Sequence, residues 1–428
     1  MSGGTVLVGA AGYAFVALGG HTLPAADAAA LSSFYLLVST IGPGLFVALE
    51  QETNRATSSA LALGSPQGPV IRRAATQGAV LWAVGFLMLV TMYPFLVERS
   101  LLGHRELFWA IVLSTVTAGA VYFVRGVLGG MQRFDGYAAT LAGEGLMRLV
   151  PALVIAAAGL ATAGLYGWVF ALGSGVGAVA ALGWVRRRVD PQSWDTPTAS
   201  ADLVPGAARA RSGAPRVRGF ASLVSATLLA QAVANLAPVV VTARLTAEPA
   251  TAAAFAAGFI LARVPLFVFS PLQAVVLPAV SAAVAHGETV RVYRIVRPVL
   301  LAATGVCVLG VVLLSTVGPW AVRTLLGAEA PVSRVVLGLL GAGTLLLIAA
   351  QVLQAALVAL QAHLAITVSW QLSIVSLVVL LMLPIHPVQA ALVAQLTCSA
   401  VVVIAMSTTL AVRLRSAAAV PAAAAAPG

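Results

Sequence analysis

The chain has 428 residues, of which 60% are hydrophobic and only 9% are charged. Soluble globular domains carry about 25% charged residues, so this composition excludes an ordinary water-soluble protein. The formal net charge is +11, and all 24 basic residues are arginine because the sequence contains no lysine. These arginines lie between apolar runs, which is typical of the loops of a membrane protein and argues against a protein that binds nucleic acid.

Long apolar segments recur along the whole chain. A membrane-spanning helix needs about 20 predominantly apolar residues, and the continuous runs rich in alanine and leucine do not alternate as the strands of a membrane barrel do. The sequence therefore predicts an all-α integral membrane protein with about twelve transmembrane helices. The predicted spans are 4–20, 29–49, 74–97, 107–128, 138–159, 161–185, 219–243, 252–284, 294–317, 333–360, 364–384 and 387–412.

Proline and glycine disturb two of these spans. The eighth run carries Pro265, Pro271 and Pro278 and has to kink if it forms a single helix. In the second run the Gly-Pro-Gly sequence at 42–44 is expected to interrupt the helix at mid-depth.

One long polar interval, residues 186–218, separates two sets of six spans. It contains seven arginines, three aspartates and four prolines, a composition typical of a solvated connector with no chemistry of its own. The predicted organisation is an N-terminal six-span bundle at 1–185, a basic cytoplasmic linker at 186–218, a C-terminal six-span bundle at 219–415 and a disordered, low-complexity tail at 416–428.

The distribution of arginine predicts the orientation of the chain. With the N-terminus inside, the predicted inner loops, linker and tail hold 16 arginines and the outer loops hold 5. Because loops rich in arginine are retained on the cytoplasmic side, both termini are expected to be cytoplasmic.

The two halves resemble each other weakly. Residues 41–52 match 269–280 at an offset of 228, and residues 129–141 match 358–370 at an offset of 229. Duplication of a six-span unit produces such nearly equal offsets, and chance similarity between apolar segments is the alternative. Since six is even, duplication predicts two bundles in the same orientation, related by a pseudo-two-fold axis along the membrane normal.

Four charged residues fall inside the predicted spans, apart from Arg294, Arg297 and Arg334, which lie among the first residues of their spans and are counted with the loops. A charge at the centre of a membrane helix costs about 2.5–3.5 kcal/mol on insertion scales, so it is expected to face a cavity or a partner. The four residues are Arg125, Glu144, Arg148 and Arg263, with a net charge of +2. This charge suits a phosphate or diphosphate, because the planar guanidinium of arginine matches phosphate oxygens. We therefore predict that these residues bind substrate.

Structural alternatives exist for these charges. Glu144 and Arg148 are four residues apart and share one helix face in the favourable order, so they also fit a purely structural ion pair. Arg125 lies near the end of its span and also fits a side chain that extends to the cytoplasmic interface. Arg263 has no acid nearby in sequence, which makes it the strongest candidate for a cavity residue.

A second group of charges closes the predicted second span at the cytoplasmic interface. Glu50, Glu52 and Arg55 lie there within six residues. They fit a cytoplasmic gate, whose ion pairs form when this side is closed, and equally fit ordinary interfacial charge.

Catalytic and cofactor-binding patterns are not recognisable in the sequence. The two cysteines lie in apolar runs, the five histidines are scattered, the acids form no DxD-type cluster and no nucleotide-binding Walker A motif is present. The sequence therefore predicts a protein that is not an enzyme, binds no metal and needs no cofactor.

Two stretches carry a family resemblance. YAFVALGGHTLPAADAAALSSFYLLVSTIGPGLFVALEQETNR and RGVLGGMQRFDGYAATLAGEGLMRL resemble the first two spans and the hairpin of spans four and five in the multidrug/oligosaccharidyl-lipid/polysaccharide (MOP) flippase superfamily, in its polysaccharide-transporter branch of O-antigen-type flippases. The two six-span halves and the basic connector agree with that resemblance, which covers about residues 5–412.

This resemblance implies a V-shaped pair of bundles that rock around a central cavity near the midplane. It implies a bacterial cytoplasmic-membrane protein that turns an undecaprenyl-diphosphate-linked glycan from the inner to the outer leaflet, with cavity arginines at the anionic headgroup. We assign the binding of the headgroup to Arg263 and Arg148 because both are predicted to lie near the middle of the membrane. The implied partners are the lipid-linked glycan, membrane lipids, and a polysaccharide polymerase or glycosyltransferases. Spans ten to twelve are nearly uncharged, which disfavours ion coupling through that half.

Other functions remain open at this point. A multidrug or metabolite antiporter of the same superfamily would carry a cation and needs an acid in its cavity, for which Glu144 is the deep candidate. A scaffold that recruits cell-envelope enzymes through the linker is an alternative of another class, and a membrane glycosyltransferase is a more distant one.

Overall fold

The computed structural model describes residues 2–186, 213–266, 289–360 and 362–424. All regular structure in these ranges is helical, which confirms the predicted all-α architecture. Contacts divide the chain into two compact units, Met1–Ala253 and Ala254–Gly428. Most of the predicted linker and the repeat segment 269–280, with Pro271 and Pro278, lie outside the described residues.

In the described residues, the first unit is built from seven long helices and two short segments. They are α1 (Ser2–Thr22), α2 (Ala25–Ala62), α3 (Gly68–Thr91), α4 (Tyr93–Phe95), a π-helical turn (Leu96–Ser100), α5 (Arg105–Gly130), α6 (Phe134–Ala157), α7 (Ala163–Arg186) and α8 (Gly213–Arg244). The sequence assigned α8 to the second bundle, whereas in the structure it packs on α2 in the first unit.

The helix α9 (Pro249–Leu261) leads into the second unit, which also contains α10 (Thr289–Thr316), α11 (Gly318–Thr324), α12 (Arg334–Ala359), α13 (His363–Leu381) and α14 (Pro387–Ala424). The last helix extends over most of the segment 416–428 that the sequence predicted as a disordered tail. The core of this unit includes Trp370, whose indole Nε1 donates to Oε1 of Gln354 at 2.8 Å.

Eleven helices in the described ranges are long and apolar enough to cross a membrane, and Leu7–Thr22 of α1 forms a shorter apolar helix. Together they correspond to the twelve predicted spans. The helix bounds agree with the predicted duplication, because α12 begins and ends 229 residues after α5. The helix α13 likewise begins 229 residues after α6.

The expected interruption of α2 at 42–44 is wrong, since this helix is continuous over 38 residues with Pro43 inside it. Proline removes one N–H, and neighbouring helices in a membrane protein can satisfy the backbone groups that it frees. The carbonyl that Pro43 leaves without its donor is that of Ser39. Close to the proline, α8 packs on the helix, and Oγ1 of Thr227 donates to the carbonyl of Gly44 at 2.8 Å. A Cβ on Gly44 would lie 3.1 Å from Cα of Leu228, so the approach requires glycine.

The predicted kink in the eighth span is confirmed in the part that the structure describes. The helix α9 ends at Leu261, and a turn at Ala262 and Arg263 follows before helical backbone resumes at Val264. Proline lacks the N–H that would bond the carbonyl four residues earlier, which here belongs to Leu261, the last residue of α9. Pro265 therefore accounts for the break.

Close packing of α5 on α2 depends on two glycines four residues apart. A Cβ on Gly126 would lie 2.9 Å from the backbone oxygen of Glu50, and a Cβ on Gly130 would lie 2.7 Å from that of Asn54. Small residues at this spacing let membrane helices approach closely. This contact sets the position of the neighbouring side chains of α5, including Arg125, which directly precedes Gly126.

We predict that Gly126→Val destabilises the protein by about 1–3 kcal/mol, the usual cost of overpacking, because the added carbons meet backbone. Gly305→Val is the matched control, since a Cβ there meets nothing within 4 Å. Unfolding in mixed detergent micelles measures both variants. Equal stability of the two variants would contradict the close α2–α5 contact.

Candidate functional site

Four polar side chains lie along one face of α6. Tyr137, Thr140, Glu144 and Arg148 follow one another at spacings of three and four residues, which places them on one side of a helix. Their partners come from α2, α5 and α7, so the group forms a buried network inside the first unit. We call these four residues and their partners the charge network.

Glu144 is the centre of the charge network. Its Oε2 accepts from Nη2 of Arg125 at 2.5 Å, and its Oε1 lies 2.5 Å from Nη2 of Arg148. Oε1 also accepts from Oγ of Ser174 at 2.8 Å. Glu144 is 5% exposed, and removing an ionised carboxylate from water is expensive unless it is paired and hydrogen-bonded. Two guanidinium groups and one hydroxyl supply that compensation.

Arg125 is held on several sides. Its Nε donates to Oγ1 of Thr140 at 2.9 Å, in addition to the bond from Nη2 to Glu144. The guanidinium carbon lies 5.9 Å from the ring centroids of both Tyr122 and Tyr137. With 5% of the residue exposed, Arg125 points into the unit, so the alternative in which it extends to the interface does not match the structure.

Arg148 stacks on an aromatic cluster. Its guanidinium carbon lies 3.9 Å from the ring centroid of Phe170, and Nη2 donates to Oγ of Ser174 at 2.6 Å. Phe170 in turn contacts the rings of Phe15 and Phe34. The Nε atom of Arg148 is buried and has no hydrogen-bond partner among the described residues. Arg148 thus retains one donor for another group.

The charge network forms because α7 presents glycines to α6. A Cβ on Gly173 would lie 2.5 Å from Cγ of Arg148, and a Cβ on Gly177 would lie 3.1 Å from the backbone oxygen of Thr140. Bare backbone at these two positions lets α6 come close enough for Ser174, between them on α7, to reach Glu144.

The three predicted gate residues divide into two groups. Arg55 and Glu52 form an ion pair at 2.7 Å along the exposed side of α2, and a pair within one helix does not join two helices. Glu50 instead points inward, where its Oε1 accepts from the hydroxyl of Tyr137 at 2.6 Å. Glu50 therefore belongs to the charge network, and the gate role of Glu52 and Arg55 stays a prediction.

Arg263 lies in the second unit, at the turn that ends α9. It is 7% exposed, and its guanidinium carbon lies 4.3 Å from the ring centroid of Phe259. Its amide donates to the carbonyl of Ile260 at 3.0 Å. The sequence identified Arg263 as a buried arginine, and the structure shows that it sits where the helix is broken.

The inward position of Glu50 changes the charge balance. The four charges predicted from the sequence sum to +2, and adding Glu50 lowers the sum to +1 if both acids are ionised. The sequence missed Glu50 because its position near the span end fits interfacial charge. Sequence analysis also missed Tyr137 and Thr140, although their helical spacing to Glu144 places them on the same helix face. The sequence gives no local pattern that links Ser174 and Phe170 to Glu144, because these two residues lie on another helix.

Comparison with known proteins identifies the fold. No family model and no curated protein match the chain. A multidrug resistance MATE family transporter of the MOP superfamily, in an inward-facing conformation, matches with a TM-score of 0.72 at 12% identity over 96% of both chains. A mutant of the Vibrio cholerae MATE transporter VcmN matches at 0.61 and 16% identity, over 95% of this chain and 94% of that one.

A third structure, MATE in the bent conformation, matches at 0.61 and 12% identity over 98% of this chain and 95% of that one. The chain has the MATE transporter fold. This fold agrees with the resemblance to the MOP superfamily, and it does not distinguish the polysaccharide branch within it.

We predict that Glu144→Gln destabilises the protein by about 3–5 kcal/mol, the usual cost of removing one partner of a buried ion pair, because two guanidinium groups then lose their counter-charge. Adding Arg125→Gln should recover part of the loss. The control is Glu52→Gln, whose exposed pair is expected to contribute about 0–1 kcal/mol. Unfolding in mixed micelles measures the free energy of unfolding of all three variants. A Glu144→Gln variant as stable as the wild type would contradict the role given to this carboxylate.

Proposed function

We propose that this protein is a membrane transporter that moves an anionic, lipid-linked substrate across the bacterial cytoplasmic membrane by alternating access. The substrate class is an undecaprenyl-diphosphate-linked oligosaccharide for cell-surface polysaccharide synthesis. The MATE transporter fold supports a transporter, and the charges of the buried residues support an anionic cargo.

The surplus of buried arginine over buried acid is the observation that carries this proposal. Among the described residues, Arg125, Arg148 and Arg263 are buried or nearly so, whereas Glu144 is the one acid in the buried class. Both oxygens of Glu144 already accept from arginine, and Glu50 accepts from Tyr137. A cationic cargo would have no uncommitted buried acid in this part of the chain to meet.

Arg148 is the residue best prepared to bind an anion. It has a buried Nε donor without a partner among the described residues and a guanidinium plane fixed by Phe170. A hydrogen bond to a charged group contributes about 1.5–3 kcal/mol, and arginine donates to phosphate oxygens in a fixed planar geometry. A phosphate oxygen at Nε would complete its hydrogen bonding. Arg263 supplies a second buried guanidinium, in the other unit.

We predict that Arg148→Gln and Arg263→Gln each lower transport of a fluorescent diphosphate-linked oligosaccharide lipid at least about tenfold, because each loses a charged bond of about 1.4 kcal/mol or more. The assay uses proteoliposomes and measures how much labelled lipid reaches the opposite leaflet. The exposed Arg323 provides the matched control, Arg323→Gln.

Only variants that retain the wild-type thermal midpoint enter this comparison, since loss of a buried arginine also affects folding. If folded Arg148→Gln and Arg263→Gln both transport the lipid at the wild-type rate, or complement a deletion strain fully, the assignment of these arginines to the substrate is wrong.

Export of a cationic drug is the second candidate. It is favoured by the similarity of the fold to that of a multidrug resistance MATE family transporter. In this case the cationic cargo would displace Arg125 and Arg148 from Glu144 and bind to its carboxylate.

We predict that a proton or sodium gradient does not drive uptake of a cationic dye into the same proteoliposomes. Dye uptake that depends on the gradient and is lost in Glu144→Gln, without transport of the lipid-linked oligosaccharide, would replace the first proposal with the second.

Shortening the linker within 189–215 addresses the scaffold alternative, because a transporter keeps its transport activity and a scaffold loses its function in cells.

A further inference from the structure

A second cluster of ionisable side chains lies at the other end of the α2–α5 pair, away from the charge network. His104 precedes α5, Glu106 lies in the first turn of α5, and Asp27 lies in the first turn of α2. Nε2 of His104 is 3.1 Å from Oδ1 of Asp27, and Nδ1 is 3.0 Å from Oε1 of Glu106. The imidazole therefore bridges two helices through two carboxylates.

The chemistry of these contacts fixes the proton count. An ionised carboxylate only accepts hydrogen bonds, whereas a neutral imidazole has one donor nitrogen and one acceptor nitrogen. A neutral His104 would place a lone pair against one of the two carboxylates. Both contacts are satisfied together only when the ring carries two protons and a positive charge.

The helix ends favour this assignment over a protonated carboxylate. The N-terminus of a helix carries a partial positive charge that stabilises anions in its first turn, and both Asp27 and Glu106 occupy first turns. The extra proton is therefore best placed on the histidine, which is the side chain whose charge changes between about pH 5 and 8.

The loop before α5 is built to present His104. Leu102 and Gly103 both have positive φ, at 49° and 92°, and the left-handed region is strained for leucine. The amide of Gly103 donates to the carbonyl of Val97 at 2.7 Å, and the amide of His104 donates to that of Leu101 at 3.0 Å. The ring is 22% exposed, so water can exchange its proton.

The titratable neighbours at this end of the unit have other contacts. Arg105 adjoins the cluster in the chain. Tyr166 of α7 shares a hydrogen bond with Thr22 at 2.9 Å, and the ring of His21 on α1 contacts the carbonyl of Ala17 at 2.8 Å. Within the described residues, Asp27 and Glu106 are the carboxylates that pair with the His104 ring.

We propose that His104 is a pH-dependent link between the N-terminal ends of α2 and α5. The link is complete when the imidazole is protonated on both nitrogens, and one of its two contacts is lost when the ring gives up a proton. It acts on the same helix pair that carries Glu50 and Arg125 further along. It stands on these contacts alone and does not depend on the proposed transport function.

The test compares thermal midpoints of the purified full-length protein in detergent at pH 5.5 and pH 8.5. The link is complete at low pH and weakened at high pH, so the wild type should have a higher thermal midpoint than His104→Gln mainly at low pH. We expect the difference between the two midpoints to be about 2–4 °C larger at pH 5.5 than at pH 8.5, which is the effect of one such contact in a domain of this size. The control His386→Gln removes a histidine from an exposed loop and should show the same difference at both pH values.

Glu106→Gln is the sharper variant. Its amide can donate to the lone pair of a neutral His104, so the ring then satisfies both neighbours without the extra proton. We expect Glu106→Gln to have the same thermal midpoint as the wild type at pH 5.5. In the Glu106→Gln background, the effect of His104→Gln on the midpoint should be the same at pH 5.5 and pH 8.5. A pH-independent effect of His104→Gln, or a Glu106→Gln variant that keeps the full pH dependence, would overturn the proposal.

Discussion

The pairing of Glu144 with Arg125 and Arg148 is the interaction on which the first unit depends. Three charged groups on α5 and α6 are removed from water, and each would be unstable there without the others. Ser174 of α7 bonds both Glu144 and Arg148, so the arrangement also fixes the third helix. One carboxylate thus pairs with two guanidinium groups, and Glu50 supplies a second acid to the same charge network through Tyr137.

Small residues make this arrangement possible. Gly126 and Gly130 let α5 approach α2, while Gly173 and Gly177 let α7 approach α6. Lipid tails are as apolar as the side chains of membrane helices, so the hydrophobic effect does not drive these helices together. They associate through such close packing and through interhelical hydrogen bonds. The same principle describes the contact of α8 with α2, where Thr227 donates to the carbonyl of Gly44 and Leu228 approaches that glycine closely.

The two polar clusters of the first unit have different chemistry. The charge network is buried and combines arginines with acids, and we propose that it binds an anion. The cluster around His104 is partly exposed and combines one histidine with two carboxylates, which suits a response to protons. The two clusters share the helix pair α2 and α5, which carries Glu50 and Arg125 of the charge network and Asp27 and Glu106 of the cluster around His104.

The sequence by itself determined the all-α membrane architecture, because twenty-residue apolar runs have few other stable structures in a bilayer. It also identified the buried charges Arg125, Glu144, Arg148 and Arg263, and the pair at spacing four, since local periodicity defines one helix face. Contacts between helices were decided only by the tertiary structure. Which helices meet decides the second arginine on Glu144, the inward turn of Glu50 to Tyr137 and the packing of α8 on α2. That choice follows from packing between residues far apart in the chain, which no local pattern records.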